Sequence, residues 1–460
     1  MTKRRTGGRE ISGWEIAAFA APAGPLLALS LPPIIFLPPY FASELGLPLY
    51  AVSAIFFGVR IADIIIDPTL GGFQDRTEHS WGRRRFWLSI STLPLMALIW
   101  FVFIGMWPGV PVWVAALAVF VLYFVYASAM LAHLGWAGEL IPTYHGRTHV
   151  LGAVQVASMI GQVLMLVIAG FVAQAPGGSD AAAVHAMGWT LVMLLPAMVL
   201  LAVSIVPEPR RPPQQHMTLR QALSTLIENR LVQRVLLPDF LLGIAQGVSG
   251  GLFLFYFQFI LGFERESQTL LAIYFIAGLV GVPVWWFAAR RWGKDRALQG
   301  ALIYTSITTA ILLVLPPNQF WLVAPFMVVA GLAQGGGVLL TRSLMADVVD
   351  DDELKTGARR SGLFFGLLLT TSKLGVAAGP ITYAILGLVG FDAAAGAANR
   401  PEALLTLQIL FIGVPIALCA LAALSLRNYP LDEKAQAELH AAIEARHAAN
   451  NANTLGPVTK

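Results

Sequence analysis

The sequence contains few charged residues and almost no cysteine. Only 12% of its 460 residues are Asp, Glu, Lys or Arg, whereas 57% are hydrophobic. Soluble domains carry about 25% charged residues, so this composition excludes a soluble globular protein and indicates a polytopic membrane protein. The single cysteine, Cys419, lies in an apolar run and is expected to be a small buried hydrophobe. It has no second cysteine in the chain with which to form a disulfide.

Motifs for chemical catalysis are also missing. The chain shows no metal-ligand spacing, no nucleotide-binding loop and no nucleophile motif. We therefore expect no enzyme activity and no cofactor. The basic start, Met1 to Arg9, is not followed by a short apolar core with a small-residue cleavage site, so we predict no cleaved signal peptide.

Twelve apolar runs are long enough to cross a bilayer, which takes about 20 apolar residues per helix. They form two sets of six, near 14–40, 48–73, 86–107, 110–138, 149–174 and 187–206, then near 234–260, 267–289, 297–315, 319–345, 362–389 and 403–426. We predict an all-α membrane protein of twelve transmembrane helices. Its predicted parts are an N-terminal half (1–206), a cytoplasmic linker (207–233), a C-terminal half (234–426) and a cytoplasmic tail (427–460).

Lys and Arg residues are distributed unevenly over the connections between these runs. The N-terminus, the connections after the even-numbered runs and the tail hold 26 of the 30, whereas the opposite side holds only Arg265 and Arg400. By the positive-inside rule, the basic side, with both termini, faces the cytoplasm of an inner membrane. The net charge of +4 thus reflects topology, and we expect no nucleic-acid partner.

The second run carries three charges on one helix face. At about 3.6 residues per turn, Arg60, Asp63 and Asp67 share a stripe, and a charge at the bilayer centre costs roughly 2.5 to 3.5 kcal/mol. Lys373 lies about as deep in the eleventh run as Asp63 does in the second. Two carboxylates one turn apart can ligate Na⁺ or share a proton, so we predict a cation site at the aspartates. The alternative is a purely structural network of salt bridges that holds the helices together and binds no cation.

Other polar residues are weaker candidates, because each of them alone is more often a packing residue whose polar group is satisfied. Candidates for a solute cavity are His133, Trp136, Gln155, Gln162, Gln246, Gln258 and Gln334. Ser128 and Thr370 could add oxygen ligands to the cation site from neighbouring helices. Glu44 and Asp239 lie near predicted span ends, where we expect both to be solvated.

Four motifs in order carry a resemblance to a known family. They are Arg60-x-x-Asp63-x-x-x-Asp67-Pro68 with its following loop through Arg85, Gly138 to Thr148, Ala346 to Arg359, and Lys373. This set, which spans nearly the whole chain, resembles the glycoside–pentoside–hexuronide:cation symporters, the melibiose-permease-like branch of the major facilitator superfamily.

The resemblance implies a fold, a mechanism and residue roles. It implies two pseudo-symmetric six-helix halves that alternate access to a site between them. It also implies that Asp63 and Asp67 bind the coupling cation, H⁺ or Na⁺, with Lys373 and Arg60 as charge partners. Charged residues of the motif loops would form a cytoplasmic gate: Asp75, Arg76, Arg83, Glu139, Arg147, Asp347 and Arg359.

The sequence departs from the family pattern at the sugar site. Sugar-binding acidic residues of the melibiose-type members are replaced by an apolar stretch on the first helix and by Ala132 on the fourth, and an asparagine is replaced by Ile66. We expect a monomeric symporter of a small solute, a glycoside or related metabolite, embedded in the lipid bilayer. The alternatives are an amphipathic, lysolipid-like solute or a non-transporting scaffold on the same fold.

Overall fold

A computed structural model describes residues 4–6, 9–140, 144–208, 229–356, 361–394, 398–431 and 438. Within these residues the chain forms twelve membrane-length helical segments, here called spans 1 to 12. Spans 1 to 6 are Gly13–Ala20 with Ala23–Ala28, Pro32–Ile35 and Leu37–Ser43; Leu49–Asp75; Arg83–Trp100 with a π-helical turn at Phe101–Gly105; Val112–Leu140; Tyr144–Gln174; and Asp180–Ile205.

Spans 7 to 12 follow after residues 209–228, which lie outside the described part. They are Arg230–Phe259; Ser267–Trp292; Lys294–Ile311 with a 3₁₀ turn at Leu312–Val314; Phe320–Gly331 with Gln334–Thr356; Ser361–Val376 with Ile381–Leu388; and Pro401–Gln408 with a π-helical turn at Ile409–Gly413 and Val414–Ser425. A short antiparallel hairpin, Arg4–Thr6 with Arg9–Ile11, precedes span 1. The twelve-helix prediction is confirmed, while the predicted boundaries of the halves, linker and tail stay predictions.

Span 2 differs from the other spans in composition. Eleven helical segments outside Leu49–Asp75, all among the described residues, are long and apolar enough to cross a membrane. This 27-residue helix contains Arg60, Asp63 and Asp67. Charged side chains are costly in lipid, so this helix must turn its charged face toward partners inside the bundle or toward a water-filled cavity.

Three spans differ from their predicted form. Span 1 is broken into four short helices, because prolines recur at 22, 25, 32, 33, 38 and 39, and each removes a backbone donor and disturbs the preceding turn. Span 6 begins at Asp180 rather than near 187, since the Ser179 hydroxyl caps it by accepting from the Ala182 N–H at 3.1 Å. Span 10 continues to Thr356, well past the predicted 345.

The two sets of six spans meet at the face away from the basic loops. There, the Asp180 carboxylate on span 6 accepts hydrogen bonds from Gln258 and Gln268 on spans 7 and 8. Span 5 contacts span 8 at Gly170 and Thr269. We call this end, where spans 6, 7 and 8 are joined, the Asp180 face, and the other end, which carries the loops before spans 3 and 9, the basic face.

Candidate functional site

Asp63 and Lys373 come together from opposite sets of spans. The Lys373 Nζ lies 4.0 Å from the Asp63 Oδ2, so the equal depth read from the sequence corresponds to spatial proximity. The Asp63 side chain is nearly buried, at 8% exposure, whereas that of Lys373 is 41% exposed. Span 2 and span 11 are therefore linked by an ion pair of which one member reaches open space.

Arg60 contacts an aromatic ring one turn away from this pair. Its guanidinium carbon lies 5.2 Å from the ring centroid of Tyr123 on span 4, and Tyr123 is 6% exposed. A cation over an aromatic face is attracted by the negative charge of the ring face. The Arg60 Nη2 is buried and has no hydrogen-bond partner among the described residues. Arg60 thus attaches span 2 to span 4, which agrees with a structural role.

A cavity of about 360 Å³ lies between the two sets of spans and extends into spans 7 to 12. None of its lining residues, all in the described part of the chain, is charged. The polar wall includes Gln162, Ser249 and Thr305, and the Tyr274 hydroxyl donates to the Gln334 Oε1 at 3.1 Å. Aromatic side chains complete it: Phe253, Phe257, Phe275 and Phe411. Its volume is within the ~300–1,000 Å³ typical of small-molecule sites.

Comparison with known proteins decides the family. A family model described as MFS/sugar transport protein matches residues 18–433, most of the chain. The chain belongs to this family. The protein is therefore a multi-pass membrane protein and a secondary active transporter of the major facilitator superfamily, and not an enzyme. The resemblance inferred from the four motifs is confirmed.

Two relatives match this transporter along most of its length, and a third matches less than half of it. The uncharacterized symporter YnaJ of Bacillus subtilis (strain 168) is 25% identical over 88% of the chain and 89% of its own. The glucuronide carrier protein homolog of Escherichia coli (strain K12) is 26% identical over 90% and 91%. The sodium-dependent lysophosphatidylcholine symporter 1-A of Danio rerio is 30% identical, but over only 40% of this chain and 35% of its own.

Solved structures show the same fold. The nucleoside transporter NupG superposes with a TM-score of 0.64 at 15% identity, covering 90% of this chain and 98% of its own. The inward open xylose transporter XylE from E. coli gives 0.61 at 15% identity, over 93% and 99%. At these identities the likeness concerns the major facilitator fold alone.

The residues predicted to form a gate in this transporter are described only in part. Asp347 is buried and accepts from the Lys294 Nζ at 2.6 and 2.8 Å, which ties span 10 to the start of span 9. Arg76 is exposed and Arg83 is half-buried. The side chains of Asp67, Asp75, Glu139, Arg147 and Arg359 lie outside the described residues. Their roles stay predictions.

Of the cavity candidates, Gln162, Gln246 and Gln334 line the cavity, and the other four do not. His133 is buried; its ring stacks on Phe19 with centroids 4.8 Å apart, and its Nε2 lies 2.9 Å from the Phe19 carbonyl oxygen. Trp136 is also buried and meets Phe19 edge-on. Gln155 is exposed, and Gln258 donates to Asp180 at 2.5 Å. His133 and Trp136 therefore serve packing and Gln258 belongs to the Asp180 face, while Gln155 lies on the exposed surface outside the cavity.

Glu208 is a residue that the sequence reading missed. Its two carboxylate oxygens accept the backbone N–H groups of Arg84 and Arg85, at 3.0 and 2.9 Å, and so cap the start of span 3. Gly82, just before, has φ of 102°, and a Cβ there would overlap the Glu208 carboxylate. The glycine of the Trp-Gly-Arg-Arg-Arg motif is thus required by this cap.

Asp239 was expected to be solvated, and that expectation is wrong. The residue is 8% exposed, and its carboxylate accepts from the Ser372 hydroxyl at 2.6 Å. Ser372 directly precedes Lys373 on span 11. No signal in the sequence relates position 239 to position 372, because only the packing of span 7 on span 11 brings them together.

Proposed function

We propose that the protein is a cation-coupled symporter that moves a small neutral solute across the inner membrane, with the coupling cation bound at Asp63 and Asp67. The observation that supports this most directly is the Asp63–Lys373 pair, which joins the two sets of spans beside an uncharged cavity. A full set of midplane charges has no use in a passive scaffold.

The orientation follows from charge. Lys and Arg are concentrated on the basic face, and the positive-inside rule assigns that face, with both termini, to the cytoplasm. The joined Asp180 face would then lie outside. In this arrangement the solute cavity is separated from the outside by the contacts among spans 5, 6, 7 and 8.

The lining of the cavity favours a neutral solute that carries hydroxyl groups and also has an apolar part. Gln162, Gln246 and Gln334 supply amide donors and acceptors, and the aromatic rings offer faces for a sugar ring or an aglycone. Among the described lining residues there is no Lys or Arg to pair with a carboxylate, which argues against a uronate, although one relative is named a glucuronide carrier protein homolog. Because most of the lining is apolar, an amphipathic solute is a second candidate. One relative is named a lysophosphatidylcholine symporter, and lysophosphatidylcholine is such a solute.

For the coupling ion, the surroundings of Asp63 favour H⁺ over Na⁺. Na⁺ requires several oxygen ligands, and Ile64, Ile65 and Ile66 offer no side-chain oxygen. Ser128 is engaged by the Gln74 Nε2 at 3.2 Å and by the Ser91 hydroxyl at 3.0 Å. Thr370 is exposed and donates to the Gly366 carbonyl oxygen on its own helix. A proton needs only one carboxylate beside a like charge.

Coupling follows from the loss of one charge. When Asp63 is ionised, it attracts Lys373 and holds span 2 to span 11. When Asp63 takes up a proton, its charge attraction to the ammonium group of Lys373 is lost, and the contact between span 2 and span 11 is weakened. Solute and cation would then bind to the same open state and move together.

The test uses purified protein in vesicles. Thermal-shift screening against neutral methyl glycosides, glucuronides and lysolipids identifies a ligand, since binding to the folded state stabilises it. Uptake of that ligand is then measured under a pH gradient without Na⁺, and under a Na⁺ gradient at equal pH. We expect Asp63→Asn and Asp67→Asn to insert normally and to lose gradient-driven accumulation. Unchanged accumulation in either variant would refute the site, and accumulation driven only by Na⁺ would refute the preference for H⁺.

A further inference from the structure

A second buried carboxylate, Asp239, lies in the C-terminal set of spans and has no role in the coupling scheme above. It is on span 7, is 8% exposed, and is surrounded by hydroxyl groups of spans 10 and 11. Ser372 contacts its Oδ2 at 2.6 Å and Thr371 contacts the same oxygen at 3.2 Å. The Thr341 side chain also contacts the carboxyl group.

Each of these hydroxyls has a single hydrogen, so a hydroxyl that donates to a carbonyl oxygen of its own helix cannot also donate to Asp239. The Thr371 Oγ1 also lies 3.1 Å from the Leu367 carbonyl oxygen and 3.0 Å from that of Leu368. Threonines within helices commonly donate their hydrogen to such a carbonyl one turn back. Only Ser372 is then left as a donor from span 11 to the carboxylate.

Thr341 on span 10 also has a carbonyl oxygen of its own helix within hydrogen-bond distance. Its Oγ1 lies 3.0 Å from the carbonyl oxygen of Gly337, four residues earlier. When Thr341 and Thr371 both give their hydrogens to their own helices, their lone pairs face the oxygens of Asp239. Oxygen lone pairs that face one another across a buried contact repel, unless a hydrogen lies between them.

An ionised Asp239 would therefore be a buried charge that either keeps a single donor or draws the threonine hydrogens away from the carbonyl oxygens of their own helices, and both arrangements are costly. Protonation removes the charge and supplies the missing hydrogen, since the carboxyl O–H can donate to a threonine oxygen. We propose that Asp239 is a proton-binding site that holds H⁺ at neutral pH. It places a protonatable group in the half of the protein that lacks the aspartate pair.

Asp180 provides the contrast. Its Oδ2 accepts from the Gln258 Nε2 and its Oδ1 from the Gln268 Nε2, each at 2.5 Å. Amide N–H groups are true donors, so each oxygen of this carboxylate accepts one N–H and the ionised form is better supplied with donors than that of Asp239. Asp180 is thus a matched control: a second aspartate at a helix contact, with one amide donor to each carboxylate oxygen.

Nearby cations do not replace the missing donors. Arg342 follows Thr341, is exposed, and acts on Asp239 only through space. Lys373 follows Ser372, and its Nζ lies 4.0 Å from Asp63. Among the described residues no ion pair involves Asp239, so its charge is not neutralised by direct contact.

Infrared spectroscopy of the purified protein in lipid tests the proposal without any solute, so the result does not depend on the proposed transport reaction. At neutral pH we expect a C=O stretch of a protonated carboxyl group in the wild type that is absent in Asp239→Asn and unchanged in Asp180→Asn. Identical carboxyl bands in the wild type and Asp239→Asn would overturn the proposal.

Two further measurements keep the test decisive. If Asp239→Asn does not fold, Ser372→Ala serves in its place: removal of the one donor should shift the frequency of the band, and an unshifted band would overturn the proposal. A NaCl titration covers the other cation. Thermal stabilisation by Na⁺ in the wild type, lost in Asp239→Asn and accompanied by no protonated-carboxyl band, would show an Na⁺ site instead of a proton site.

Discussion

The contact between Asp63 and Lys373 predicts a measurable energetic coupling across the two sets of spans. At the observed 4.0 Å, two unit charges attract by about 1 kcal/mol in water and about 4 kcal/mol at an effective dielectric constant near 20. One partner is 8% and the other 41% exposed, so the value should fall between these limits. We expect a coupling free energy of about 2 kcal/mol.

A double-mutant cycle measures this quantity. The free energies of unfolding of Asp63→Asn, Lys373→Met and the double variant are compared with that of the wild type in one detergent at low salt. The double variant should be more stable than the sum of the single effects predicts, because each single change removes the attraction but leaves the other charge within its span.

The control combines Asp63→Asn with Lys355→Met. Lys355 pairs with Asp351 at 2.6 Å, one turn away on the same helix, and not with Asp63. The effects of these two changes should add within about 0.5 kcal/mol, as for independent sites. Additive effects in the Asp63–Lys373 cycle as well would refute the claim that the pair links span 2 to span 11.

Two further predictions concern the helix cap and the cavity. Gly82→Ala should lower the free energy of unfolding by about 1–3 kcal/mol, because it forces a side chain to adopt a positive φ. Glu208→Ala should cost less, about 1 kcal/mol, because it removes only the cap. Thermal unfolding of both variants tests this, and a Gly82→Ala protein as stable as the wild type would contradict it. Gln162→Leu should weaken binding of the ligand found by thermal shift about two- to tenfold, whereas Gln155→Leu, on the exposed surface, should leave the Kd unchanged. Equal losses in both variants would argue against the cavity as the solute site.

The sequence predicts those features that repeat along one helix. Apolar runs define the spans, and the i, i+3 and i+7 spacing of Arg60, Asp63 and Asp67 defines the charged face. The partner of Asp63 could also be inferred, because Lys373 is a rare intramembrane cation and its depth follows from counting residues. Rare charged residues in an apolar chain restrict the number of arrangements that leave each one paired.

Contacts between polar residues that are common in membrane helices cannot be inferred in this way. Serine and threonine occur throughout the chain, so the sequence does not indicate that Ser372 and Thr371 meet Asp239. The same holds for Gln155 and Gln162, which lie two turns apart on one face of span 5, although only Gln162 lines the cavity. Only the positions of neighbouring helices distinguish a cavity residue from a surface residue.

The packing of spans 7 and 11 connects the charge pair to the cavity. Glycines on both helices let their backbones touch: a Cβ at Gly375 would lie 2.6 Å from the Phe240 carbonyl oxygen, and one at Gly247 would lie 2.6 Å from that of Val376. Closely packed helices move together, since side chains cannot slip past a backbone contact. Lys373 is two residues from Gly375, and the cavity residue Gln246 precedes Gly247. In the proposed mechanism, a shift of span 11 that follows the loss of the Asp63 charge therefore moves Gln246 as well. Protonation of Asp63 thus alters the wall against which the solute binds.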